Sequence, residues 1–432
     1  MLTTATPPGP AEGFDLDGTD ESLRRLNEYS AAYGDLFRVF SPSRGAHDYV
    51  INHPDTVKHV LLSNHRNYTK GAGMDRVKLL LGNGLITSEG DFWRRQRRMI
   101  QPSFHRRVLE RFDELIGEVN ERYADRWAAQ GARGEPVDLG EDVSELTLEI
   151  TLRAIFGEDL ARLTAETGDN PFDVVAKESD RDLRFAYRFR SLCRLVGQLI
   201  ARRRREDAER FDFLEMLMQS RTRDGDEAMS DAELIDEVMT LIVAGHETTA
   251  ASLAWTWYLL GRHPQIAEAV RAETDRAETR RPCSLAAAES LAWTHGVLQE
   301  SLRLYPPGWL FTRRTIEADE LGGFAVPAGT DVFICPYLLH RHPGFWERPE
   351  EFLPERFLAA DAVERHRFAY IPFSVGPRHC VGENLSMFEM LVHMYTMNRR
   401  FRFTPLDRGP IEFEAQINLR PRSKLMTMVE ER

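Results

Sequence analysis

Apolar residues recur at helical spacing along most of this chain. Between residues 383 and 399, Leu385, Met387, Phe388, Leu391, Val392 and Met394 keep one face of a helix. Residues 105–210 read as mostly helical, with breaks at 131–136 and near Gly157. Leu146, Leu148, Ile150, Leu152 and Ile155 mark core positions there. The longest apolar run opens at Ser230-Asp231-Ala232-Glu233, a capping box, and reaches Gly261, with Pro264 beyond its end. Roughly thirty residues at ~1.5 Å each make a helix about 45 Å long. Shorter helices are predicted over 21–33 and 54–63, from Asp91, and up to the turn Tyr305-Pro306-Pro307. Residues 36–40 and 48–51 read as paired strands. Turn residues punctuate further short strands at 308–336 and 401–426. Residues 68–90, rich in Gly and Lys, read as a loop with short helical pieces.

Composition narrows the picture. The chain has 432 residues, 42% of them hydrophobic, ample material for a large core. Its net charge of −12 argues against nonspecific nucleic-acid binding. Cys193, Cys283, Cys335 and Cys380 are scattered without a C-x-x-C, which fits a reducing cytoplasm rather than a disulfide framework or zinc ribbon. Residues 1–13 have no apolar centre, so they predict neither a signal peptide nor a membrane anchor. No apolar run reaches about 18 residues, and a soluble protein with a flexible arm over 1–19 is expected.

Two stretches break their local pattern. The middle of the long helix carries Ala244-Gly245-His246-Glu247-Thr248-Thr249, poor choices for a buried helix centre. A threonine there can bond the carbonyl four residues back, and a carboxyl beside a hydroxyl suits proton transfer. His246-Glu247 begins like H-E-x-x-H, but the fifth position is Ala250, which argues against a zinc protease site. The second stretch is 373–382, Phe-Ser-Val-Gly-Pro-Arg-His-Cys-Val-Gly. Cys380 stands just ahead of a helix N-terminus, where the dipole favours a thiolate. Gly376 and Gly382 permit close backbone approach or positive φ, and Arg378 suits a carboxylate. Weaker signals are Trp93 and Arg97, four apart on a basic helix, and Glu300 and Arg303, three apart.

Stretch 373–382 fills the pattern F-x-x-G-x-R-x-C-x-G and resembles the haem-binding loop of the cytochrome P-450 family. The helix centre resembles that family's A/G-G-x-E/D-T-T motif. Trp93/Arg97 resemble its W-x-x-x-R, Glu300/Arg303 its E-x-x-R, and Pro354-Glu355-Arg356-Phe357 its P-E-R-F element. The matches span essentially the whole chain. The resemblance implies a mainly α fold with a small β-rich lobe, a triangular prism with haem between the long central helix and the Cys loop. It implies one haem domain over 20–432 with no fused reductase. Cys380 would be the axial ligand of the iron of haem b (iron protoporphyrin IX). Trp93, Arg97, Ala244, Gly245, Phe373, Gly376, Arg378 and Gly382 would also contact the haem, with Gly245 leaving room for dioxygen. Either Arg313 or Arg314, assigned as Arg314, would meet a propionate. Glu247 and Thr248 would relay protons to iron-bound oxygen. Glu300, Arg303 and Arg356 would form a buried structural triad. Trp309, Leu310 and Phe311 would face the substrate cavity or the core.

The implied function is a soluble, cytoplasmic haem-thiolate monooxygenase. It would insert one oxygen atom from O2 into a C–H or C=C bond of a small lipophilic substrate, free or carrier-bound. Electrons would come from a ferredoxin- or flavodoxin-type donor, with no nucleic acid and no membrane anchor involved. Arg94, Arg95 and Arg98, turned to solvent, would offer that acidic donor a docking patch. Other readings are a haem-thiolate catalyst of coupling, nitration or isomerisation, and a non-catalytic recruiter. The intact Glu247, Thr248 and Cys380 argue against the recruiter. One departure is the compact, proline-free segment 172–200, where relatives carry a longer lid, which suggests a more open mouth.

Overall fold

The computed structural model describes residues 5–177, 183–206, 208–222, 225, 227–277, 287–288, 290–358 and 365–432. Cys283 and part of the 172–200 segment lie outside them. In chain order the longer helices are α1 (Asp20–Tyr33), α2 (Gly90–Ile100), α3 (Asp113–Ala132), α4 (Leu139–Phe156), α5 (Leu183–Arg203), α6 (Asp231–Arg262), α7 (Pro264–Arg276), α8 (Ala292–Leu304) and α9 (Glu383–Arg400). The strands are β1 (Leu36–Ser41), β2 (Ala46–Ile51), β3 (Tyr68–Lys70), β4 (Val137–Asp138), β5 (Phe311–Thr315), β6 (Asp319–Leu321), β7 (Phe324–Val326), β8 (Asp331–Ile334), β9 (Phe401–Pro405), β10 (Phe413–Ala415), β11 (Leu419–Pro421) and β12 (Met426–Glu431). Helix dominates, as the periodicity predicts. Among the described residues no helix is long and apolar enough to cross a membrane.

The chain forms two compact units. The first comprises Met1–Met74, His295–Cys380 and Gly409–Ser423. Its main sheet has the order β1-β2-β8-β5-β3, with β2 and β8 parallel. Leu36, Tyr49, Ile51, Val332, Ile334 and Ile371 fill one core beneath it. The arm expected to be flexible is docked over residues 5–19. The Arg38 amide donates to Pro8 O at 2.9 Å and the Phe14 amide to Phe40 O at 2.8 Å. Asp15 accepts from the hydroxyls of Ser41 and Ser43, and Leu16 is buried. Strand-edge hydrogen bonds order this Pro/Gly-rich stretch where hydrophobic periodicity gives no signal.

The second unit comprises Asp75–Thr294, Val381–Arg408 and Lys424–Arg432. Helix α6 runs through it and packs along α4. The α6 capping box forms: Ser230 Oγ accepts from the Glu233 amide, and Glu233 Oε2 accepts from the Ser230 amide. Leu146, Leu148, Ile150, Leu152 and Ile155 are all buried. The apolar face of α9 is closed by a satisfied polar network. Trp257 Nε1–H donates to His393 Nε2 at 3.0 Å, and His393 Nδ1 meets Asn120 Oδ1 at 2.9 Å. Burial pushes the His393 imidazole down to about 3, so it stays neutral. Strands β4, β12 and β9 complete this unit.

Candidate active site

In the first unit the cysteine loop is a closed turn. The Cys380 amide donates to Phe373 O at 2.9 Å, and the His379 amide to Gly376 O at 3.0 Å. Ser374 has φ +60°, a left-handed conformation that costs a non-glycine residue about 1–3 kcal/mol. Gly376 has φ +74°, and a Cβ there would lie 2.1 Å from Leu61 O. Leu61 sits in a π turn, His59–Ser63, so two irregular segments meet backbone to backbone. The thiol of Cys380 is exposed, while Phe373, Val375 and Pro377 are partly exposed along the same turn. Among the described residues no three His, Cys, Asp or Glu side chains gather into a metal-binding group. A single accessible thiol beside an apolar ledge fits one axial bond to a flat metal macrocycle.

The loop hangs from the Glu300/Arg303 core. Arg303 Nε and Nη2 donate to Glu300 Oε2 and Oε1 at 2.7 and 2.8 Å. Its remaining N–H groups reach His340 O, Pro349 O and Glu351 O. Arg356 Nε donates to Glu300 Oε1 at 3.3 Å, which completes the triad the motifs imply. His340 links this core to the loop. Its Nε2 accepts from the Ile371 amide at 2.8 Å. Burial, with the Arg303 and Arg341 charges, pushes that imidazole down to about 3 and keeps the acceptor available. Trp309 is buried and donates Nε1–H to Gln416 O at 2.9 Å, so of its two readings the core one holds.

Strand alternation separates Arg313 from Arg314. Arg314 donates Nε and Nη2 to Asp331 at 3.0 and 2.6 Å. Arg313, on the opposite face of β5, is buried over the Phe311 ring. Arg313 Nη1 donates to Thr312 O at 2.8 Å, so both arginines are engaged and differ in face and burial. What separates the two is Asp331, which nothing in the local motif points to.

In the second unit α6 is mostly buried between Glu237 and Leu260, and its partly exposed residues there, Tyr258 apart, fall between Leu241 and Thr248. Leu241, Ala244 and Thr248 follow i, i+3 and i+7 and are partly exposed, with Gly245 and Glu247 beside them. Thr248 Oγ1–H donates to Ala244 O at 2.7 Å, as the sequence suggests. A Cβ on Gly245 would meet Thr151 of α4 at 3.4 Å. On its Cβ side the glycine therefore packs against α4 at ordinary van der Waals distance. His246 is buried on the far flank, 3.0 Å from Ser144 Oγ, a packing role. Thr249 Oγ1 meets Ser386 Oγ of α9 at 3.0 Å.

Trp93 and Arg97 share one partly exposed face of α2. Arg94 pairs with Asp91 and is exposed, as is Arg98. Arg95 departs from the expectation of a solvent-facing cation. Its Nη1 donates to Glu233 Oε1 at 2.8 Å and its Nε to Glu227 at 3.2 Å. The capping carboxylate of α6 holds that charge, so the exposed basic patch of α2 is narrower than its sequence suggests.

A mainly helical fold with a strapped cysteine turn and a polar-centred long helix is that of haem-thiolate proteins. The comparisons with known proteins agree. The model of the family described as Cytochrome P450 matches residues 11–196 and 170–428. Cyclooctatin synthase of Streptomyces melanosporofaciens is 35% identical over 405 residues, 90% of this chain and 87% of that protein. Cyclooctat-9-en-7-ol 5-monooxygenase of the same organism is 33% identical over 424 residues, covering 94% and 90%. Pentalenene oxygenase of Streptomyces avermitilis is 31% identical over 390 residues, covering 87% and 85%. The crystal structure of the cytochrome P450DA heme domain superposes with a TM-score of 0.88 at 23% identity, covering 99% of this chain and 97% of that one. The chain belongs to the cytochrome P450 family. It is a monooxygenase of that family, which carries haem iron, uses O2 and needs a redox partner.

Proposed function

We propose that the protein hydroxylates or epoxidises a cyclic terpenoid hydrocarbon or alcohol, held free rather than on a carrier. Relatives named for cyclooctatin, cyclooctat-9-en-7-ol and pentalenene support this substrate class. The observation that carries the haem assignment is the exposed Cys380 thiol on a turn strapped at Phe373 and seated on Gly376. In this reading the group would be haem b, and Cys380 would hold its iron as a thiolate. Phe373, Gly376 and Gly382 give that loop its apolar, close-fitting backbone. Arg378, Arg97, Trp93 and one of Arg313 and Arg314 are the candidates to hold the propionates. When bound, the haem supplies the activation of dioxygen, and the protein's part is pose, water access and protons.

Thr248 holds a proton at Oγ1 and keeps it oriented by donating to Ala244 O. Glu247, the next residue, exchanges protons with solvent and restores the one Thr248 gives up. Leu241 and Ala244 present a small apolar surface beside them, against which a hydrocarbon can rest. The electron donor is a ferredoxin- or flavodoxin-type acidic protein, drawn by Arg94 and Arg98. The compartment is the cytoplasm. Spectral titration tests the substrate class. Cyclic sesquiterpene and diterpene hydrocarbons or alcohols should give tight low-to-high-spin shifts. Shifts only with carrier-linked acyl groups would overturn the class.

A further inference from the structure

Buried polar side chains seldom go without hydrogen-bond partners, yet three of them belong to one crossing of segments in the second unit. There the turn at residues 82–88 crosses the first half of α6. Two carboxyl groups of α6 hold it. Asp236 Oδ2 accepts from the Asn83 amide at 2.7 Å, and Glu237 Oε2 from the Leu85 amide at 2.9 Å. Only glycine fits at the crossing. A Cβ on Gly82 would lie 2.1 Å from Asp236 Oδ1, and one on Gly84 2.2 Å from Thr240 Oγ1. The Ser88 amide donates to Gly84 O at 2.9 Å, which folds Ser88 back onto the same turn.

Around Gly84 the second carboxyl oxygen of Glu237, Thr240 Oγ1 and Ser88 Oγ are all buried with no hydrogen-bond partner among the described residues. Ser88 and Glu237 are 0% exposed and Thr240 is 2% exposed. Leaving such atoms unpaired costs about 1–3 kcal/mol each. One water with three polar neighbours would satisfy them.

The place of Glu237 on the helix gives this cluster a direction. Eleven residues, close to three whole turns, separate Glu237 from Thr248, so both lie on one line of α6 about 16 Å apart. Leu241 and Ala244 lie between them on the partly exposed stripe. Burial, then the charges of Asp236 and Glu233, pushes the Glu237 carboxyl up to about 8, while the Leu85 amide works against that. Arg95, the nearby cation of α2, is engaged by Glu233. At neutral pH Glu237 therefore holds a proton it can give.

We propose that Glu237, Thr240 and Ser88 bind a buried water, and that Glu237 is a proton-holding residue that resupplies the Thr248 end of the α6 stripe. The proton leaves the Glu237 carboxyl for the bound water, which releases one of its own to a file of further waters along the stripe, the last of them bonded to Thr248 Oγ1. The carboxylate then recovers a proton from solvent, and no electrons move. The water site stands alone; the resupply role rests on the assignment of Glu247 and Thr248 to proton delivery.

The test uses haem-loaded protein, its reduced carbon monoxide spectrum checking the haem reading separately. Infrared difference spectra at pH 7 should show a protonated-carboxyl band, shifted in heavy water, lost in Glu237→Gln and displaced in Thr240→Val. A crystal structure should show a water bonded to all three oxygens. With a surrogate donor, Glu237→Gln should release at least threefold more peroxide per electron pair, and Glu237→Asp should recover much of the loss. A carboxyl band unchanged by Glu237→Gln, or a dry contact, would overturn the water site. Unchanged peroxide release would overturn the resupply. If Glu237→Gln fails to load haem, Thr240→Val carries both readouts. A wild type without the thiolate spectrum would sink the haem reading, while the band and the water would still decide the site.

Discussion

Replacing Arg303 by lysine keeps its charge and removes its geometry. All five guanidinium N–H groups are used: two on Glu300, and one each on His340 O, Pro349 O and Glu351 O. Both Arg303 and Glu300 are buried, and the guanidinium also lies over the Trp346 ring at 4.9 Å. An ammonium has three donors, so at least two of the five acceptors lose their partner. At about 1–3 kcal/mol for each deserted buried acceptor, Arg303→Lys should cost about 2–6 kcal/mol. Glu300→Gln leaves two guanidinium charges without their carboxylate and should cost about 3–5 kcal/mol. Urea unfolding of the haem-loaded protein, followed by far-UV circular dichroism, measures the change in midpoint at constant slope. Absorbance follows haem loss in the same samples, because His340 ties this core to the start of the cysteine loop. Two results would refute the reasoning: an Arg303→Lys midpoint equal to wild type at unchanged slope, or a large loss of stability with haem binding and spectrum untouched.

Other expectations follow from the same structure. Gly376→Ala meets both a positive φ and Leu61 O at 2.1 Å, so it should reduce haem retention several-fold without changing far-UV circular dichroism; full retention would contradict the strap. His340 and His393 stay neutral in the fold down to about pH 3, whereas unfolded imidazoles protonate near 6.5. Each therefore contributes stability that is complete above about pH 6.5 and lost as pH falls toward 3, at about 1.4 kcal/mol per pH unit. Glu237, raised to about 8, acts in the opposite sense between 4.5 and 8. Removing one imidazole by His393→Gln should flatten the acid limb of a stability–pH curve between 6.5 and 4.5, and an unchanged limb would count against a neutral His393. Thr248→Ala should leave the carbon monoxide spectrum intact while peroxide release rises and product falls, and unchanged coupling would count against its proton-holding role.

What the sequence makes legible here is whatever depends on local spacing. The helices around 383–399 and 230–261, and the Glu300/Arg303 pair, are set by periodicity and i, i+3 geometry. The motifs carry Cys380 and Glu247/Thr248 into view for the same reason. The rest depends on partners far away in the chain. Arg313 and Arg314 differ only in which face of β5 they occupy and in Asp331, which claims one of them. Arg95 looks like a solvent cation until Glu233 is brought to it. Gly245 gives no sign in the sequence of its neighbour on α4, Thr151. The 5–19 arm has no apolar rhythm at all; backbone hydrogen bonds to β1 hold it down. Ser88, Thr240 and Glu237 belong to no motif, and only the docking of the 82–88 turn unites them.

The account turns on Cys380 as the thiolate ligand of a haem. Reducing the loaded protein under carbon monoxide tests that directly, with Cys380→Ser measured beside it. A Soret band shifted far to the red in the wild type and lost in Cys380→Ser is the result this account predicts. A band at the position of histidine-ligated haem, or one that Cys380→Ser leaves unchanged, would contradict it.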